Sequence, residues 1–120
     1  MLDFVKLYGT TDSGGALTVT SDVIALGLLH EVEWIDGTFD NGVDAVISVV
    51  RDGDAADKTL VTLTNADNDA SYLVRPEVST IAGAAVTGVV DKTVINGKLK
   101  MVVASGGNAK TGGCIVYFTR

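Results

Sequence analysis

Short runs of alternating apolar and polar residues, separated by glycine beside Asp or Asn, organise this chain. Ala45, Ile47 and Val49 alternate with Asp44, Val46 and Ser48, and Cys114, Val116 and Phe118 oppose Ile115, Tyr117 and Thr119. A period of two is the repeat of a β-strand, whose successive side chains point to opposite faces. Over 26–35, Glu31 and Glu33 take one side while His30, Val32 and Trp34 take the other. The pattern predicts strands near 2–8, 16–20, 26–35, 43–51, 58–64, 70–75, 86–95, 98–104 and 113–119.

Turns fall at 9–15, Asp36-Gly37, Asp40-Asn41-Gly42, Asp52-Gly53, 65–69, Asn96-Gly97 and 105–113. Asp-Gly and Asn-Gly tolerate positive φ and so suit tight hairpins. The best hairpin signal is 86–104, with Asn96-Gly97 at its tip and Lys98 and Lys100 marking one face. Residues 21–29 raise a helix question, since Ser21 could cap and Val23, Ile24 and Leu28 have loose helical spacing. Gly27 inside that pattern costs about 1 kcal/mol relative to Ala, so a turn leading into strand is expected. Residues 79–88 are small, uncharged and weakly patterned, which reads as a long surface connection packed on its own domain or on a neighbour.

This spacing predicts an all-β chain, a single domain over 1–120 built as a β-sandwich or jelly roll of about eight to nine mostly antiparallel strands. Composition agrees. Valine (18), threonine (13) and isoleucine (6) fill 37 of 120 positions, and β-branched side chains favour a pleated, half-buried surface. With 47% hydrophobic residues the chain is not disordered. One cysteine and one histidine exclude a disulfide scaffold, a cysteine-ligated zinc site and a three-histidine site. The start, Met1 to Lys6, lacks the basic and apolar segments of a secretory signal, and Val23 to Leu29 is too short to span a bilayer.

The formal charge of −6 is unevenly spread: residues 1–70 carry 13 acids and 3 bases, residues 71–120 carry 2 acids and 6 bases. Acidic turns early in the chain explain this simply; a two-signed surface that brings repeated neighbours into register is the sharper reading. The late bases are scattered and lack aromatic interleaving, so no nucleic-acid partner is expected.

Lys110-Thr111 follows a glycine-rich run, but Ala104 and Ala109 stand where a phosphate loop needs glycine, and strand follows instead of helix. Asn65, Asp67 and Asp69 begin like a calcium loop, yet Ala70 and Pro76 occupy its glycine and glutamate positions. A looser site from Asp52, Asp54, Asp57, Asp67 and Asp69 competes with solvated turn carboxylates, the commoner arrangement. His30 as a base suffers because its neighbour Glu31 belongs to the opposite strand face. Cys114, mid-strand, reads as a small core hydrophobe. Trp34 with Tyr8, Tyr72 and Tyr117 could line a sugar platform, although core or interface packing is favoured. No enzyme, cofactor or metal is expected.

The run Val94-Ile95-Asn96-Gly97-Lys98-Leu99-Lys100-Met101-Val102-Val103-Ala104 leads into Ser105-Gly106-Gly107, a Lys-Thr-Gly step and the closing strand Cys114-Ile115-Val116-Tyr117-Phe118. Upstream lie Leu26 to Trp34, Thr59 to Thr64, and Arg75-Pro76 after a strand. From about residue 16 onward this layout resembles small all-β virion proteins of tailed bacteriophages, of the capsid cement or decoration type. The resemblance implies a structural protein, trimeric, bound to the major capsid protein at local threefold positions on the capsid exterior and made in the host cytoplasm. It brings no catalytic motif, no membrane and no nucleic acid. A head-fibre or tail appendage that binds carbohydrate is the alternative. Positive mean hydropathy (+0.34) in so short a chain points to apolar surface kept for partners. The candidate interface residues are Leu2, Phe4, Leu7 and Tyr8 near the start, and Ile81 and Val86 in the loop.

Overall fold

The period-two pattern becomes nine antiparallel strands in a computed structural model that describes residues 1–51 and 56–120. They are β1 (Leu2–Thr10), β2 (Leu17–Ile35), β3 (Asp44–Val50), β4 (Lys58–Leu63), β5 (Ala70–Tyr72), β6 (Glu77–Ser79), β7 (Ala85–Val90), β8 (Val94–Ala104) and β9 (Thr111–Thr119). Seven join one sheet in the order β1-β9-β2-β8-β3-β4, with β5 added to β2, while β6 and β7 pair only with each other. The chain is all-β, as its pattern required. The Asp52-Gly53 turn lies outside the described residues.

The 19-residue strand β2 carries the sheet from one leaf to the other. Its first part, Leu17 to Leu28, pairs with β8; its last part, Leu28 to Ile35, pairs with β9. One leaf is therefore β2-β8-β3-β4 and the other β5-β2-β9-β1, an arrangement compatible with the expected sandwich or jelly roll. Side chains of alternate positions fill the space between: Leu7, Leu29, Ile47, Leu99, Met101 and Val116 are all fully buried. Each such side chain contributes about 1.5–3 kcal/mol on burial.

Three expectations are corrected. Residues 21–29 are not a turn but continuous strand. The ladder with β8 slips between Thr20 and Ile24, and the Ser21 hydroxyl replaces its lost bonds, accepting from the Leu99 N–H (3.0 Å) and donating to the Val23 carbonyl (2.8 Å). Gly27 sits where β2 passes from β8 to β9; a Cβ there would lie 2.2 Å from the Thr119 carbonyl oxygen.

Asn96-Gly97 is no hairpin tip. β8 runs straight through it, placing Asn96 opposite Leu26 and Gly97 opposite Ala25. Glycine is needed at 97 for close approach, since a Cβ would stand 2.2 Å from the Val50 carbonyl oxygen. Finally, 79–88 is part of a hairpin. β6 and β7 meet across a turn in which the Thr80 N–H donates to Ala84 and the Gly83 N–H donates to Thr80. Among the described residues, the backbone of this arm comes close to no other strand of its own chain.

The unequal charge of the two halves is mixed by folding. Lys100 pairs with Asp57, Lys110 with Asp40 (3.8 Å) and Arg120 with Asp3 (2.6 Å). Each pair joins a late base to an early acid, which weakens the reading of two oppositely charged faces.

Candidate interaction surface

Strand β1 fixes the first set of predicted interface residues by parity. Even positions point outward, so Leu2 is 55% exposed and Phe4 60%, with Tyr8 also on the surface. Odd positions point inward, and Leu7 is fully buried. Leu7 is thus a core residue, a correction to its place among the interface candidates.

Register then brings distant apolar residues together. Leu2 lies opposite Thr119, Thr119 opposite Leu28, and Leu28 opposite Val94. The row crosses β1, β9, β2 and β8, and its three apolar members are all exposed. Directly opposite residues stand about 4.5–5.5 Å apart in a sheet, so Leu28 and Val94 adjoin, and Leu2 lies beyond Thr119 on the same row. Phe4 extends it along β1, its ring 6.2 Å from that of Tyr117, and exposed Leu26 extends it along β2. Leu26, Leu28 and Val94 were not anticipated. The available signal was apolar residues at 24, 26 and 28, even positions where a half-buried strand carries polar ones.

The other candidates lie elsewhere. Ile81 is completely exposed at the arm's turn and Val86 is half-buried on β7. An open groove of about 430 Å³ flanks β1, lined by Phe4 to Leu7 on one side and Val19 to Val23 on the other.

Of the side chains considered for chemistry, Trp34 and Tyr117 have structural partners. Trp34 is fully buried; its Nε1–H donates to the Ala66 carbonyl (2.9 Å), and its ring stacks on Phe39 at 5.6 Å. It offers no face to a sugar. The Tyr117 hydroxyl donates to Glu33 (3.1 Å), and that bond, with burial, raises its pKa. His30 falls at a second slip of the ladder, between Leu29 and Glu31, and so does not share the inward face of Val32 and Trp34. Its carbonyl accepts from Arg75 (2.9 Å), while its Nδ1 is buried with no partner among the described residues.

Asp67 and Asp69 tie loops together: Asp67 accepts from the Gly42 N–H (2.7 Å) and Asp69 from the Asp36 N–H (2.8 Å). Desolvation, then the charges of Asp67 and Asp69, hold the Asp36 carboxyl above the usual carboxylate range. Among the described residues no three His, Cys, Asp or Glu side chains are grouped to hold a metal ion. Asp57 pairs with Lys100, and Asp52 and Asp54 of the looser calcium site lie outside the described residues.

Burial pushes the Cys114 thiol up to about 12. Only thiolate reacts with alkylating agents, so the native protein at roughly pH 8 should resist iodoacetamide and react readily in denaturant. Mass spectrometry checks this; native labelling at the rate of a free cysteine would contradict the burial of β9.

Among the described residues no helix is long and apolar enough to cross a membrane. The chain matches no family model, no curated protein and no solved structure.

Proposed function

We propose that this domain is a capsid cement or decoration protein of a tailed bacteriophage, a structural and non-enzymatic part of the virion. The observation that carries the proposal is the exposed apolar row Leu2, Leu28 and Val94, widened by Phe4 and Leu26 across four strands. Cement acts by burying surface at joints between capsomers, and contiguous exposed apolar area on a small domain marks a partner surface. Sheet residues hold such a patch in fixed geometry, which suits a partner repeated many times on a shell. In this reading copies sit as trimers on the outside of the head, against the major capsid protein, after synthesis in the host cytoplasm. The carbohydrate-binding alternative has less support, because Trp34, the centre of its platform, lies in the core.

Heads assembled without the protein provide the test. Added protein should bind them and protect against heat and osmotic shock. Phe4→Ser with Leu28→Ser should weaken binding roughly tenfold or more, since each buried apolar side chain contributes about 1.5–3 kcal/mol. Failure of the unsubstituted protein to bind such heads would overturn the proposal.

A further inference from the structure

The β1 edge away from β9 is open. Pairing parity follows from the end of the ladder, where the Arg120 N–H donates to the Met1 carbonyl (3.0 Å). Opposed residues in an antiparallel pair alternate between exchanging both backbone bonds and exchanging none. The odd residues of β1 therefore bond to β9, and the N–H and C=O groups of Leu2, Phe4, Lys6 and Tyr8 point the other way. The Phe4 N–H is met by its neighbour's carboxylate, Asp3 Oδ1, at 2.8 Å. Beyond this edge lies the groove, closed at one end where a Cβ on Gly9 would touch Leu17 at 3.0 Å. It opens along Phe4 to Leu7 opposite the slipped segment of β2. An open strand edge accepts an extended segment, whose backbone completes the ladder, and this groove is mixed, with Phe4, Val5, Val19 and Val23 apolar and Lys6 and Asp22 charged.

The same chain carries such a segment. The arm, residues 77–90, has no charged residue after Glu77. Its tip Ile81 is completely exposed, and Val89 and Val90 are half exposed. An isolated two-stranded hairpin is at best marginally stable in water, and among the described residues the backbone of this one lies close to no strand of its own body. β7, six residues long, is long enough to cover the β1 residues Phe4 to Leu7 that line the groove. For a protein of net charge −6, a neutral arm is also the element that copies can exchange with little repulsion.

We propose that β7 of one copy adds to the open edge of β1 in a second copy, so that the arm and the groove together form a head-to-tail interface between copies of this chain. Each copy gives an arm and receives one, which doubles the surface each buries, and a head-to-tail contact closes into a ring when its rotation allows. The inference does not depend on the shell reading, because it concerns the free protein.

Sedimentation and chemical cross-linking test it. The protein should be oligomeric at micromolar concentration. Lys6→Pro removes an N–H that faces the groove and leaves the β9 ladder intact; it should weaken association roughly tenfold or more while the circular dichroism spectrum is kept. Val86→Asp with Val89→Asp, on an arm whose backbone lies close to no other strand among the described residues, should do the same without affecting the body. Mixing Lys6→Cys protein with Thr87→Cys protein and a short bis-maleimide should yield a covalent heterodimer, with buried Cys114 as a spectator. A monomeric protein, or an oligomer that survives both the Lys6→Pro and the arm variants, would sink the proposal. So would a protein carrying both cysteines that cross-links only within single chains, which would show the arm folding back on its own groove.

Discussion

Trp34→Ala is expected to destabilise the domain by about 3–5 kcal/mol, the usual cost of deleting a large buried aromatic. A domain of this size is stable by only about 5–15 kcal/mol, so the variant should melt on the order of 15 °C lower. Three contacts are lost together. The indole fills the core with no exposed surface, its Nε1–H satisfies the Ala66 carbonyl, and its face stacks on Phe39. Phe39 in turn occupies space that only glycine leaves free, since a Cβ on Gly112 would lie 2.5 Å from its ring. Trp34 thus holds the 36–42 and 64–69 loops against the end of β9. Trp34→Phe separates the effects, keeping most of the ring while leaving the Ala66 carbonyl unpaired at a cost of about 1–3 kcal/mol. Urea unfolding followed by circular dichroism measures both. A Trp34→Ala protein within about 1 kcal/mol of the parent would mean that the indole does not organise these loops.

How much of this was legible in the sequence depended on which signal dominated locally. β3 and β9 each present one clean apolar face, Ala45-Ile47-Val49 and Cys114-Val116-Phe118, and both are strands with that face buried. β8 was misread because Asn96-Gly97 is a strong turn signal. The contrary signal was present: Ile95, Leu99, Met101 and Val103 keep the same parity across Gly97, as a single strand requires and a two-residue hairpin tip does not. β2 was misread because its outer face is apolar at Ile24, Leu26 and Leu28, which blurs period two into something loosely helical. The apolar outer face that hid the strand is also the best candidate site. What no local pattern carries is the placing of Leu2 and Leu28 on one row of the sheet, because it depends on Thr119 standing between them. The role of Gly97 is equally non-local, set by a carbonyl from β3.

Leu7 and Phe4 provide the second large effect, through their contrast. They lie three residues apart on one strand and are both apolar, yet the pleat sends them to opposite faces. Leu7→Ala should cost about 2–5 kcal/mol, because the cavity opens in a core lined by side chains from both leaves. The backbone there has little room to relax. Leu7 pairs with Cys114, and a Cβ on the adjacent Gly113 would stand 2.0 Å from the Leu7 carbonyl oxygen. Phe4→Ser removes a larger side chain but one already in solvent, so stability should change by no more than about 0.5–1 kcal/mol. Under the proposed shell role, binding should reverse the order: Phe4→Ser should weaken retention on heads, whereas Leu7→Ala, once folded, should bind as the parent does. Thermal unfolding and head binding of the two variants together test both placements. Equal stability losses would refute the parity assigned to β1, and with it both the outward apolar row and the open backbone edge, since each follows from which residues of that strand face away from β9 and the core.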